Sequence, residues 1–185
     1  MNNNRVVSMN KYQPTKHENV VIDTNILIKQ FYPTFYETAS DIDEIFKKLQ
    51  KEKCNILLSS IQISEFINRY IRFCFDLYKS SIGNQSLDFK TGYRSTEDYT
   101  NSMNDILDIL NTEVIPICTC INDGFDRMNG DNLYRYSFSY DFNDALIVEL
   151  ARINEATIIT NDHDFLNYSF GGKIVTNNWM LLSAH

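Results

Sequence analysis

Residues 144–165 read DALIVELARINEATIITNDHDF. The pattern predicts a helix over 141–154, a break at Asn154-Glu155, and then 156–160 (ATIIT), a β-branched apolar run too short for a helix, which ends on polar and acidic residues. The same alternation recurs along the chain. Asn19–Ile22 (NVVI) leads into a helical pattern over 24–30, and Asn55–Leu58 (NILL) into one over 60–79. Residues 113–117 (EVIPI) and Lys173–Thr176 (KIVT) predict two more strands. Further helices are expected over 36–51 and 96–110, with a weak one over 119–128 and a short one after Asp162. Short strands apolar on both faces, alternating with helices, predict a parallel sheet covered on both sides. The fold expected is α/β with three layers and about five strands. Residues 80–95 read as a loop inside a helical hairpin over 60–110, and residues 1–18 as an N-terminal extension.

The 185 residues suit one domain, for no Pro- or Gly-rich linker and no repeat divides them. No apolar stretch approaches the ~20 residues of a membrane span, and the N-terminus lacks the apolar core of a secretory signal. A cytoplasmic protein with no membrane contact is therefore expected. Its four cysteines should then be reduced and read as small buried side chains. Cys118 and Cys120 lack zinc-knuckle spacing, and no second Cys or His pair lies near them. The net charge of −7 is unevenly spread: residues 45–94 carry nine Lys and Arg against four Asp and Glu (net +5), while residues 95–185 carry four against fourteen (net −10).

Function in open α/β sheets gathers at the carboxyl ends of the strands, and here the strands end on acids. Asn19–Ile22 runs into Asp23-Thr24-Asn25, and residues 156–160 run into Asn161-Asp162-His163-Asp164. Asp141 and Asp144 open the helix that feeds that strand, and Glu65 lies one turn into the helix that leaves Asn55–Leu58. Carboxylates converging at one edge repel each other unless protonated or neutralised by a cation. An all-oxygen ligand set points to Mg²⁺ or Mn²⁺, and such ions activate water for phosphodiester hydrolysis.

Through VVIDTNILI (20–28), SSIQISEF (59–66) and DALIVELARINEATIITNDHDF (144–165), the chain resembles the PIN-domain ribonuclease family (VapC-like) over residues 19–176. The resemblance implies that Asp23, Glu65, Asp144 and Asp162 form an acidic catalytic metal site. It further implies that Asn25 and Thr160 position water or ligands, and that Asp164 is an additional acid. It implies a five-stranded parallel sheet, a metal-dependent endoribonuclease, and the toxin role of a toxin–antitoxin pair, with an antitoxin protein and a homodimer as partners. The long helical pair, the stretched segment 119–140 and the acidic charge depart from the compact toxins of this family.

Each acid also has a plain structural role open to it: Asp23 and Asp162 as helix caps, Asp141 as an N-cap and Asp144 as a first-turn acid, Glu65 as the i,i+4 partner of Arg69. His163 reads as an exposed loop residue outside the site. With His17 and His185 in terminal segments, no Ser/His/Asp or Cys/His triad is available, and no phosphate-loop motif occurs. Lys47, Lys48, Lys51, Arg69 and Arg72, with their basic neighbours, form either an RNA track or ordinary solvated helix faces. Tyr134, Tyr136, Phe138, Tyr140 and Phe142 recur at every second position, either as a ladder that stacks unpaired bases or as one face of an extended segment packed on the core. The competing function is a non-catalytic PIN-like module that binds RNA or protein. An aspartate-nucleophile phosphatase would need a second Asp where Asn25 stands.

Overall fold

The computed structural model describes residues 5–32, 40–137, 141–168 and 170–183. A parallel sheet forms the middle layer, with strands β1 (Arg5–Ser8), β2 (Asn19–Ile22), β3 (Asn55–Leu58), β4 (Thr119–Cys120), β5 (Thr157–Ile159) and β6 (Lys173–Thr176) in the order β1-β6-β5-β2-β3-β4. The helices are α1 (Thr24–Phe31), α2 (Ser40–Lys51), α3 (Ser60–Ser81), α4 (Glu97–Ile109), α5 (Gly130–Ser137), α6 (Phe142–Ile153) and α7 (Trp179–Ser183).

Alternation along each strand builds a core on both faces. Val20, Ile22, Ile56 and Leu58 pack against Ile26, Ile45, Phe66 and Ile106 of α1 to α4. Val21, Leu57, Ile158 and Ile174 pack against Leu133, Ile147, Leu150 and Leu181 of α5 to α7. Strands buried on both faces need side chains that fill space on either side, which is why they read as near-continuous Val, Ile and Leu. α3 and α4 pack together, and the rings of Phe75, Phe89 and Tyr93, with centroids 5.1–5.8 Å apart, hold the loop between them against α3.

Several expectations are corrected. The sheet has six strands where about five are expected, and the unforeseen one is β1: residues 5–8 pair with β6, Val6 opposite Ile174 and Val7 opposite Val175. Residues 113–117 are helical: Leu110 and Val114, four apart and buried, carry the α4 face onward through a π turn, and Pro116 sits in a following 3-10 turn. The strand falls instead at Thr119–Cys120, where a weak helix is expected. This edge strand exposes both residues and so carries no apolar signal. Tyr134 and Tyr136 lie on α5, a helix, so the alternating aromatics do not form an extended ladder; Phe138 and Tyr140 fall outside the described residues. The expected helix start at 36 also falls outside them. The cysteines are free, but none is buried: three are half-buried and Cys120 is exposed. No helix among the described residues is long and apolar enough to cross a membrane.

At the amino edge of the sheet one carboxylate ties three strands together. Glu18, just before β2, accepts hydrogen bonds from Thr157 Oγ1 at the start of β5 (2.5 Å), Lys173 Nζ at the start of β6 (2.8 Å), Tyr12 Oη (3.0 Å) and the Thr15 amide (2.8 Å). Burial opposes its charge, but the bonds from Lys173, Thr157, Thr15 and Tyr12 outweigh it and hold the carboxyl at about 2. A depressed carboxyl stabilises the fold above its unfolded value near 4.5 and loses that contribution as pH falls toward 2. Glu18→Gln is expected to cost about 2–3 kcal/mol in urea unfolding at pH 7. The gap to the unaltered protein should close as pH falls through that window.

Candidate functional site

The acids meet at the point where strand order reverses. β2 is the central strand, with β3 and then β4 on one side and β5 and then β6 on the other, so its carboxyl end is the switch point at which open α/β sheets bind ligands. Asp23 emerges there. It caps α1, its Oδ1 accepting from the Asn25 amide at 3.4 Å, and its Oδ2 accepts from Thr160 Oγ1 at 2.5 Å. The same Thr160 oxygen accepts from the Asp162 amide at 2.9 Å, so one buried hydroxyl links the ends of β2 and β5. Asp162 in turn caps the short helix His163–Asn167, accepting from the Asp164 amide at 3.0 Å.

Glu65 and Asp144 enter from helices. α3 starts where β3 ends and α6 ends where β5 begins, so the first turns of both helices lie at the carboxyl edge. α3 is fixed by Gln62, whose Oε1 accepts from the Ser59 amide (3.0 Å) and whose Nε2 donates to the Ile22 carbonyl of β2 (2.8 Å). Glu65 Oε2 accepts from Thr24 Oγ1 at 3.0 Å, and Oε1 pairs with Arg69 Nη2 at 2.7 Å, forming the i,i+4 pair. Thr24 and Gln62 are both fully buried. Neither stood among the sequence candidates; their partners lie some 40 residues away, and the only local hint was the Ser59-x-x-Gln62 capping pattern.

Burial and like charge act together on these groups. Burial raises the Asp23 carboxyl to about 6; Glu65 and Asp162 push the same way, and the bonds from Thr160 and Asn25 oppose them. Burial also raises Asp144 to about 8, helped by the charges of Asp23, Asp162, Asp141 and Glu65. Asp23 is 3% exposed and Asp144 6%. Asp144 thus feels the charges of the other three predicted acids, and Asp23 those of Glu65 and Asp162. Among the described residues, the one set of three acid, His or Cys ligand atoms within 4.8 Å of each other is Asp162, His163 and Asp164. The exposed His163 ring bridges the two acids, with Nε2 at 3.1 Å from Asp164 and Nδ1 at 3.7 Å from Asp162.

The donor set suits a hard divalent cation: carboxylates, with the buried Asn25 Oδ1 beside them lacking any hydrogen-bond partner. A groove of about 400 Å³ opens beside Glu65, lined by Ser60, Ile61, Ser64, Glu65, Asn68 and Asn143. Asn68 also borders the next hollow along α3, about 540 Å³, with Arg69, Arg72, Phe73 and Asp76.

Of the basic candidates, Arg69 and Arg72 share that hollow, while Lys47, Lys48 and Lys51 lie on α2. Arg69 faces Glu65, and the Arg72 guanidinium lies 3.8 Å over the Phe89 ring. Lys48 donates to the carbonyls of Met9, Asn10 and Tyr12, all at 3.2 Å, and clamps the segment that follows β1. Lys47 and Lys51 are exposed near the end of α2, which runs toward the amino edge where β3 begins, away from the acids.

A carboxyl raised on folding makes the protein less stable as pH climbs from its unfolded value through its folded one. For Asp23 and Asp144 that window runs from about pH 4 to about 8. In EDTA the melting temperature should fall across it. Mg²⁺ or Mn²⁺ should restore several degrees at pH 8 and almost none at pH 5. Asp144→Asn should raise the metal-free melting temperature at pH 8 and abolish most of the metal response, as differential scanning fluorimetry would register.

The profile of the PIN domain family matches residues 20–171, the span that holds all four acids. No curated protein matches the chain. Among solved structures, VapBC2 from Rickettsia felis, crystallised with a DNA fragment from its promoter, aligns with a TM-score of 0.54 at 13% identity, over 85% of this chain and 98% of that one. FitAcB from Neisseria gonorrhoeae aligns with a TM-score of 0.48 at 14% identity, over 86% of this chain and 98% of that one. PAE2754 from Pyrobaculum aerophilum aligns with a TM-score of 0.45 at 17% identity, over 94% and 95%. PIN domains are generally nucleases. With the profile covering most of the sheet and every strand-end acid, the chain belongs to the PIN domain family.

Proposed function

We propose that the chain is a divalent-metal-dependent endoribonuclease in which Asp23, Glu65, Asp144 and Asp162 hold Mg²⁺ or Mn²⁺. The observation that carries this reading is the gathering of buried carboxylates at one sheet edge, two of them raised toward or above neutrality by burial and by each other. A bound divalent ion would neutralise a scissile phosphate and acidify an attacking water. The protein's own groups set the stage. Thr160 holds Asp23 and Asp162 in fixed relation, and Thr24 does the same for Glu65. Asn25 Oδ1 offers an unused acceptor for water, and Asp164 and His163 extend the site toward solvent.

RNA is the favoured substrate because an unpaired strand can bend its backbone into a recess. The groove along α3 supplies neutral donors and then Arg72. A single domain that works in the cytoplasm, with an antitoxin protein and a second copy as partners, completes the reading. Likeness to VapBC2, whose crystal contains promoter DNA, supports the antitoxin part. One observation favours the non-catalytic alternative: both Glu65 oxygens are already engaged, by Arg69 and Thr24.

Mixed-sequence single-stranded RNA should be cut by the pure protein in Mn²⁺ or Mg²⁺ and left intact in EDTA. Asp23→Asn should lower the rate at least a hundredfold while leaving the circular dichroism spectrum unchanged. Full activity in that variant would discard the assignment, and calorimetry showing no metal binding would favour the binding module. Charge reversal at Arg72 should weaken RNA binding and reduce the slope of log K against log salt by about one contact. Reversal at Lys47 and Lys51 should change that slope less, because they lie toward the far edge.

A further inference from the structure

Trp179 is the sole tryptophan of the chain and is 70% exposed. Its helix, α7, is anchored by the fully buried Leu181, yet turns Trp179, Met180 and Leu182 toward solvent. The position is not remote from the acids. β6 runs parallel to β2 and β5, so α7 begins at the same carboxyl edge as Asp23 and Asp162, and it packs against β1 and the short helix His163–Asn167.

Hydrogen bonds fix that relation. Asn178, the residue before Trp179, donates through Nδ2 to the carbonyl of Asn161, the residue before Asp162, at 2.8 Å. Asn161 Oδ1 accepts from the Asn177 amide at 2.8 Å and from Thr176 Oγ1 at 3.2 Å. Asn178 Oδ1 then caps α7 through the Met180 amide at 2.9 Å. The loop that presents the acid and the turn that presents the indole are thus one hydrogen-bonded unit.

Charge indicates what the indole meets. Asp162 follows Asn161 in this unit and Asp41 Oδ2 accepts from Asn177 Nδ2 at 2.9 Å, so carboxylates stand beside the turn and repel a phosphate backbone. Contact with a nucleic acid here has to come through the face of a base, which every nucleotide offers once it is unpaired. A second copy of the chain is a poorer fit, since three side chains of a five-residue helix fall well short of the ~800 Å² per partner of a stable interface. We propose that Trp179 is a stacking platform for an unpaired base of the RNA held at the acidic edge, and that it makes the site selective for single strands. This rests on the ribonuclease reading above.

The lone tryptophan provides its own probe. A labelled twelve-residue oligouridylate is titrated into the full-length protein with Ca²⁺, and anisotropy of the label and tryptophan emission are followed together. Emission should be quenched over the same concentration range in which anisotropy rises. Trp179→Ala should weaken binding about tenfold, Trp179→Phe should recover most of it, and a fully paired hairpin should leave emission unmoved. Binding with unchanged emission, or undiminished binding by Trp179→Ala, would overturn the stacking role alone. A shift of emission with protein concentration in the absence of RNA would assign the face to a second copy and also overturn it. Absence of any anisotropy change, together with no cleavage in Mn²⁺, would defeat the ribonuclease reading itself.

Discussion

A carboxylate that leaves the central strand of a sheet and is 3% exposed must find compensation for its charge. Asp23 finds part of it in the amide of Asn25 and the hydroxyl of Thr160. These are neutral donors, and nearby Glu65, Asp144 and Asp162 add like charge. Much of the surrounding structure holds this unfavourable grouping in place. Gln62 ties α3 to the Ile22 carbonyl, Thr24 holds Glu65, and Thr160 spans β2 and β5. Each of these contacts joins two elements that would otherwise let the acids drift apart.

The two edges of the sheet treat their carboxylates in opposite ways. At the amino edge, Glu18 receives an ammonium, three hydroxyls and a backbone amide, and is held near 2. At the carboxyl edge, Asp23 and Asp144 receive too little and are raised to about 6 and about 8. Residue type and burial alone do not separate Glu18 from Asp23 and Asp144; the ammonium of Lys173 beside Glu18 does. The edge where compensation is missing is also the edge at which strand order reverses.

Much of this was legible in the sequence because its causes are local. Asn19–Ile22, Asn55–Leu58 and Lys173–Thr176 are buried on both faces and read as strands from their β-branched runs. Asp23 and Asp162 stand out because each follows such a run. What was hidden depends on distant partners or on hydrogen bonds alone. β4 exposes both its residues, and β1 is a half-buried edge strand that acquires its identity only beside β6. The helical fate of residues 113–117 came from continuity with α4, which an isolated apolar run does not reveal. Lys48 looks like a surface lysine on an amphipathic helix until three carbonyls of the segment after β1 surround it.

The pairing of β1 with β6 joins residues 5–8 to residues 173–176. Closing so long a span is slow, and it cannot begin during synthesis before the later segment has left the ribosome. Until then β1 has no neighbour, and Asn161 lacks the Thr176, Asn177 and Asn178 groups that hold the loop leading to Asp162. The loop leading to the acid at the end of β5 is thus secured only once residues 176–178 have emerged. A growing polypeptide already carries Asp23, Glu65 and Asp144, yet its acidic edge is unfinished, which spaces the making of the protein from the completion of its site.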